Sequence, residues 1–270
     1  MSTLAEISRE LRRDVVEMVY RTKDGHPSPS FSIADIVTAL YFDVMQVDPT
    51  NPEWDERDRF VLSKGHACPI LYAALAKRGF YDREELFTLR YIDSNLQGHP
   101  YAPKTRGLDA TTGSLGNGLS IGLGMALSAK IRKKSYRTYV VVGDGELGEG
   151  MIWEAAMAAS HHKAASITLF VDNNNYQSGG SVEEVSGPYP IDEKWRAFGW
   201  NVLSVDGHDI DAILSAVKTA HQVTDKPTAI ICKTVKGKGV SFMEGENSWH
   251  KRVYTDDEYR QAIKELGGAV

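Results

Sequence analysis

The sequence predicts an α/β protein with a doubly wound, mostly parallel sheet flanked by helices. Three observations carry this. Apolar runs at 60–63, 139–142, 167–171, 200–205 and 228–234 have the length of strands. Stretches with helical spacing separate them, and crossover helices are how parallel strands are joined. Two of the runs stop abruptly in polar turns, Gly143-Asp144-Gly145 and Asp172-Asn173-Asn174-Asn175, at what would be one edge of the sheet.

Residues 3–22 place Leu4, Ile7, Leu11, Val15, Met18 and Val19 at helical spacing, a surface helix with one buried face that stops at Asp24-Gly25. His26-Pro27-Ser28-Pro29-Ser30 follows, a stiff segment not expected to be helical throughout. Ser32 with Asp35 three positions on reads as a capping box for a helix to about Met45. Residues 49–58 are a polar connector. The strand at 60–63 runs into Lys64-Gly65-His66, and a helix over 67–77 follows.

Asp82 with Glu85 predicts a second capped helix, to about Tyr91. Residues 92–110 are irregular and contain Gly98-His99-Pro100. The stretch 111–124, TTGSLGNGLSIGLG, leads into a helix ending near Lys134. Its glycines 116, 118, 122 and 124 each cost about 1 kcal/mol in a helix interior. They make sense where a helix packs closely or where backbone approaches a ligand. Residues 175–190 read as a Gly-, Ser- and Pro-rich loop, 195–198 as part of a short helix and 209–223 as a helix. Residues 236–250 read as a flexible stretch and 256–266 as a closing helix. No internal repeat or low-complexity linker interrupts the pattern, so one domain over 1–270 is expected, with the helices before residue 60 packed on the sheet or on a partner.

The two polar turns close a βαβ unit, which brings Asp144 and Asn174 together despite their separation in sequence. A carboxylate, an amide oxygen and a nearby backbone carbonyl are hard ligands that suit Mg²⁺ or Ca²⁺ and suit zinc poorly. Gly143 and Gly145 let the backbone turn sharply and an anion come close, and the next helix offers unpaired N–H groups to it. The residues therefore predict a metal-diphosphate site. His26, His66 and His99 each adjoin glycine or proline in loops, and His250 follows a glycine-rich segment. Imidazole donates to phosphate or alkoxide and moves protons near neutral pH. His161 and His162 fit as cations at a helix end. His208 and His221 are read as ordinary structural histidines.

GDG, a helix and a strand ending in NN together resemble the thiamine-diphosphate signature. GDGELGEG and VDNNNYQSGG are similar to the transketolase branch of it. GHP at 25–27, LSKGHA at 62–67, QGHP at 97–100 and SWHKR at 248–252 resemble that family's four histidine motifs, and TTGSLGNG resembles its TTGPLGQG. The resemblance implies the diphosphate-binding (PP-type) variant of the thiamine-diphosphate fold and a set of roles. His66 would contact the cofactor diphosphate. His26 and His99 would line the substrate channel and handle the sugar's carbonyl oxygen and first hydroxyl. His250 would lie between diphosphate and substrate. Gly113, Ser114 and Leu115 would border the cofactor beside Gly143 and Gly145. Asp144 and Asn174 side chains with the Tyr176 carbonyl would hold Mg²⁺, for which Ca²⁺ or Mn²⁺ could substitute. Glu149 matches a glutamate of an acidic network at the family's subunit interface.

There are departures. Ser28 stands where glycine is usual, Tyr101 where an acid often follows the third GHP motif, Ser114 for a proline and Asn117 for a glutamine. Lys251-Arg252 follow the fourth histidine. Ser28 and Tyr101 lie by the expected channel and bear on which sugar is used.

The resemblance spans nearly the whole chain but only the first of three domains of a full transketolase. The family's activating glutamate and aromatic pyrimidine pocket belong to a domain this length does not supply. The implied enzyme is split: a partner chain would carry the pyrimidine-binding and C-terminal domains in an α₂β₂ assembly. It would transfer a two-carbon ketol unit between sugar phosphates. The alternatives are a 2-keto-acid dehydrogenase α-type chain, a deoxyxylulose-phosphate-synthase-like chain, or a non-catalytic cofactor-binding regulatory subunit. The three Gly-His motifs weigh against the first and the short chain against the second. A nucleotide-binding domain fits less well, because GDG is not GxGxxG and no Walker lysine follows.

The bulk numbers narrow the classes further. A net charge of −5 without a long basic stretch gives no grip on nucleic acid. No apolar run reaches bilayer length, and the N-terminus lacks a secretory h-region. Two cysteines without metal-ligand spacing point to a reducing compartment, the cytoplasm.

Overall fold

Thr3 starts the first helix, α1 (Leu4–Thr22), through a complete capping box: its hydroxyl accepts from the Glu6 N–H at 3.2 Å while the Glu6 carboxylate accepts its N–H at 2.7 Å. This is a computed structural model, and it describes residues 2–269. The expected buried face is there: Leu11, Val15, Val16, Met18 and Val19 are inaccessible to solvent. Contrary to the sequence expectation, Pro27–Phe31 forms a helical turn, α2. Pro27 takes the first helical position and Pro29 the third, where no N–H needs an intrahelical partner.

The Ser32–Asp35 capping box is also absent. The next helix, α3 (Ala34–Ala39), starts at Ile33 with no side-chain cap and widens into a π-type turn over Leu40–Val44. Tertiary partners have claimed both residues. The Ser32 hydroxyl donates to Asp172 at 2.7 Å, and Asp35 accepts from both terminal nitrogens of buried Arg12 at 3.1 and 2.7 Å.

β1 (Arg59–Leu62) leads through a tight turn into α4 (Cys68–Arg78). The capped helix expected from Asp82 is a 3₁₀ turn, Arg83–Thr88, without a side-chain cap. α5 (Asn117–Arg132) begins after Gly116, whose φ of +85° favours glycine. Gly118 and Gly122 explain the glycine-rich face. A Cβ there would lie 2.4 Å from the Ser63 side chain and 2.5 Å from Val140, so the helix could not lie so close to the sheet. Gly124 faces open space. β2 (Thr138–Gly143), α6 (Gly150–His161) and β3 (Ile167–Asn173) form the βαβ unit.

The predicted loop at 175–190 holds a small antiparallel ladder, β4 (Tyr176–Gln177) with β5 (Gly180–Ser181), and a helical turn, α7 (Val182–Val185). Then come α8 (Ile191–Ala197), β6 (Asn201–Asp206), α9 (Ile210–Gln222), β7 (Thr228–Lys233) and the closing α10 (Asp256–Glu265). The stretch expected to be flexible, 236–250, is a series of tight turns pinned by buried Lys236, Val240, Met243 and Trp249.

The main sheet is parallel throughout, in the order β1-β2-β3-β7-β6. Alternate side chains feed two apolar layers. Tyr139, Val141, Phe170 and Ile230 face the layer shared with the N-terminal helices, α4 and α9. Val140, Val142, Leu169 and Val171 face the layer covered by α5, α6 and α8. Burial on both faces is why these strands read as unbroken apolar runs. The helices before residue 60 belong to the first layer, so they pack on the sheet of this chain.

Candidate active site

Four strand ends supply one cleft. Lys64 follows β1, Asp144 follows β2, Asn174 follows β3 and Lys236 follows β7, and all four line a cavity of about 230 Å³. The register places Gly143 beside Asp172, and the Asp144 N–H donates to the Asp172 carbonyl at 3.1 Å. Strand pairing therefore brings the GDG and DNNN turns together. The Asp144 carboxylate is almost wholly buried. Its Oδ1 accepts from the Gly145 N–H at 2.8 Å and its Oδ2 from the Asn175 N–H at 2.6 Å. Burial, then the neighbouring Asp172 charge, pushes its carboxyl up to about 7. Asn174 donates from Nδ2 to Asp172 Oδ2 at 2.8 Å, and its Oδ1 accepts from the Tyr176 N–H at 3.0 Å.

Beneath this edge lies a charged cluster that sequence reasoning missed. Asp172 is fully buried. It pairs with the Lys64 ammonium and accepts from the Ser32 and Thr234 hydroxyls and from Asn174. Burial alone would raise its carboxyl, but Lys64 and those donors outweigh it and hold the group below the ordinary range. Lys64 also donates to the Pro29 carbonyl at 3.1 Å. Glu146, buried too, accepts from Ser63, from the Gly116 N–H at 2.8 Å and from the Gly143 N–H at 3.1 Å. One carboxylate thus ties the GDG turn to the loop that opens α5. Lys236 donates to Asn247 Oδ1 at 2.6 Å. Burial, then Lys64, lowers its ammonium to about 8. The only sequence signal for these groups was their place beside the motifs: Lys64 in LSKGH, Asp172 in DNNN and Glu146 in GDGE.

Three of the four histidines meet. The ring centroids of His26 and His66 are 5.5 Å apart, those of His26 and His250 5.5 Å, and those of His66 and His250 5.1 Å. His66 and His250 line the cleft, and Nδ1 of His250 is buried without a partner among the described residues. His99 is exposed, its ring against Gly113, where a Cβ would lie 3.2 Å from it, and its charge still acts on His26 and His66. Leu115, Gly143, Gly145 and Tyr176 line the cleft. Glu149 lies exposed at its rim, and the Ser114 carbonyl accepts from Asn117.

His208 is structural. Its Nε2 accepts from the Val235 N–H at 2.8 Å, so Nδ1 carries the proton and donates to Asp35 at 2.8 Å. His221 pairs with the Tyr139 hydroxyl at 2.9 Å. His161 ends α6 as expected, with His162 at its cap, both exposed.

The clustered imidazoles are neutral near pH 7. Burial, then Arg90 and Lys251, lowers His26 to about 4. Burial, then Lys236, lowers His250 to about 3, and burial, then Lys64, takes His66 well below its ordinary value. The unfolded chain takes up these protons as pH falls through about 6.5, whereas folded His26 resists until about 4 and folded His250 until about 3. Their contribution to stability is therefore present above about pH 6.5 and lost as pH falls toward those values, and that of His66 has the same sign. In thermal melts of the chain alone, a His26→Gln, His250→Gln double variant should lose less stability between pH 7.5 and 5 than wild type. Equal losses would refute neutral rings.

A doubly wound parallel sheet that gathers buried acids, lysines and imidazoles at its carboxyl edge defines a cofactor-binding α/β domain. The chain belongs to the transketolase thiamine diphosphate binding domain family, which matches residues 2–269. It is 43% identical over 266 residues to an apulose-4-phosphate transketolase subunit of Phocaeicola vulgatus, covering 98% of this chain and 94% of that one. It is 44% identical over 256 residues to the 6-deoxy-6-sulfo-D-fructose transketolase subunit SqwG of a Clostridium species, covering 95% and 93%. The crystal structure of Campylobacter jejuni transketolase superposes with a TM-score of 0.93 at 33% identity, over 99% of this chain and 43% of that one. The chain thus has the length of the subunit relatives and spans about two fifths of the longer transketolase.

Proposed function

We propose that this chain is the diphosphate-binding subunit of a two-chain transketolase, transferring a two-carbon ketol unit from a ketose donor to an aldose acceptor. The observation that carries the reading is the meeting of His26, His66 and His250 beside the edge that holds Asp144 and Asn174. In this proposal residues 1–270 form one thiamine-diphosphate-binding domain. A partner chain carries the pyrimidine-binding and C-terminal domains, two copies of each chain form an α₂β₂ enzyme, and the enzyme is cytoplasmic. Two free, buried cysteines support a reducing compartment. No helix among the described residues is long and apolar enough to cross a membrane.

The cleft residues fit a magnesium–diphosphate group. Asp144 is a buried carboxylate beside a second carboxylate, an arrangement that a divalent cation relieves. Asn174 Oδ1 and the Tyr176 carbonyl complete a hard oxygen set. Among the described residues no group of three or more His, Cys, Asp or Glu is placed to hold a metal ion, the three neighbouring imidazoles included. Lys236 and the neutral rings of His66 and His250 offer donors to diphosphate oxygens, with Gly113, Ser114, Leu115, Gly143 and Gly145 bordering it. Thiamine diphosphate, when bound, supplies the nucleophilic carbon and electron sink that ketol transfer needs.

This chain's part in the chemistry is to hold and move protons at the donor's oxygens. Neutral His26 and His99 would donate to and steady the donor sugar's carbonyl oxygen and first hydroxyl. Glu149 at the rim would meet the subunit interface. The two subunit relatives carry names with anionic sugars, a phosphate and a sulfonate, so an anionic ketose is the proposed donor class. The test compares the chain with thiamine diphosphate and Mg²⁺, alone and with a chain carrying the pyrimidine-binding and C-terminal domains, in ketose cleavage and in pyruvate turnover. Ketose cleavage only in the pair is expected. Substantial transfer by the chain alone would overturn the split reading.

A further inference from the structure

The histidines expected to touch substrate stand on separate loops, and one carboxylate reaches all of those loops. Asp24 Oδ1 accepts the Gly25 N–H at 2.8 Å, one residue before His26. Its Oδ2 pairs with Arg90 Nε at 3.0 Å. The Arg90 guanidinium lies against Gly98, where a Cβ would sit 2.5 Å from its Cζ, one residue before His99. Asp24 Oδ1 also faces the Lys251 ammonium at 3.6 Å, one residue after His250. We infer that Asp24 is a positioning residue, a charged buckle that holds the His26, His99 and His250 loops in one arrangement through Gly25, Arg90 and Lys251.

Backbone conformation supports this independently. Arg90 is a non-glycine residue at φ +64°, a conformation that persists only where the surroundings over-determine it. Its N–H donates to the Leu96 carbonyl at 2.8 Å, closing the 90–96 loop that leads to His99. Arg90 and Lys251 also act on the rings: after burial, their charges are the next causes that keep His26 and His99 low. Asp24 opposes them at His26, so the buckle keeps two cations near the rings without leaving their charge unbalanced.

The ion pairs are partly exposed, with side-chain exposures of 36% for Asp24, 27% for Arg90 and 54% for Lys251. Pairs of this kind contribute little to global stability. The device sets loop geometry, and the expected readout is local.

Hydrogen exchange of the full chain, free of cofactor and partner, tests it. Asp24→Ala should speed exchange roughly two- to fivefold in all three segments, 24–27, 90–99 and 247–251. Asp24→Asn keeps an acceptor for the Gly25 N–H but loses the charge. It should leave 24–27 like wild type and loosen the other two segments. A change confined to 24–27 in the alanine variant, or an asparagine variant like wild type throughout, would overturn the buckle. The functional consequence rests on the reading proposed above. In the reconstituted pair, Asp24→Asn should lower kcat on the order of tenfold and weaken thiamine diphosphate binding by a smaller factor, through the His250 loop. An active wild-type pair with an unaffected asparagine variant refutes the positioning role. An inactive wild-type pair with the exchange pattern intact refutes the functional reading and leaves the buckle standing.

Discussion

Asp144→Ala is expected to leave the fold in place and to abolish metal-dependent binding of thiamine diphosphate. The carboxylate has two structural duties, one oxygen on the Gly145 N–H and the other on the Asn175 N–H. These bonds shape the two turns that border the cleft. Each hydrogen bond to a charged group contributes about 1.5–3 kcal/mol, so losing both disorders the site before the loss of the proposed metal ligand is considered. Affinity should fall by at least about a thousandfold. Global stability should fall less, because the variant also removes one of two like charges buried side by side.

The two effects separate in one experiment. Thermal melts with and without Mg²⁺ and thiamine diphosphate should show a ligand-induced rise in Tm for wild type and none for the variant. A wild-type rise in the variant would remove Asp144 from the metal site.

Much of this site was legible because strand–helix–strand order fixes which strand ends share an edge. Two apolar runs of the right length, joined by one helix and each ending in a polar turn, place those turns on the same sheet edge, and Gly143 pairs beside Asp172 accordingly. The glycines of α5 were legible for a similar reason, since their cost in a helix demanded a close approach, which Ser63 and Val140 supply. What failed was anything decided by a distant competitor. Ser32 and Asp35 have the spacing of a capping box, but a buried aspartate and a buried arginine took their side chains. The prolines at 27 and 29 stop a helix from continuing but not from starting. Lys64, Glu146 and Lys236 look like ordinary charged residues in the sequence. Their burial depends on partners that only the folded sheet edge brings near. The sequence shows four loop histidines of equal standing, and nothing in it sets His99 apart from the three that meet.

Lys64→Met is expected to destabilise the chain by roughly 3–5 kcal/mol, the cost of leaving one partner of a buried pair uncompensated. Asp172 has no exposure, and Lys64 is its only cationic partner among the described residues. Three neutral donors remain, from Ser32, Thr234 and Asn174, so the loss should lie toward the lower end of that range. Urea denaturation measures it, and a loss below about 1 kcal/mol would mean that those donors alone sustain the charge. Adding Asp172→Asn should recover most of the stability, since the amide needs no counter-ion.

Function should not recover with it. Asp172 Oδ2 orients Asn174 by accepting from its Nδ2, which leaves Asn174 Oδ1 as the oxygen that accepts from the Tyr176 N–H and would reach the proposed metal. An amide at 172 can still accept that bond, but it no longer supplies the charge that fixes the Asn174 flip. The double variant should therefore fold like wild type yet bind Mg²⁺ and thiamine diphosphate more weakly. Stability and affinity would then part at one residue pair, which places the Lys64–Asp172 charge in the service of the cleft above it rather than of the fold around it.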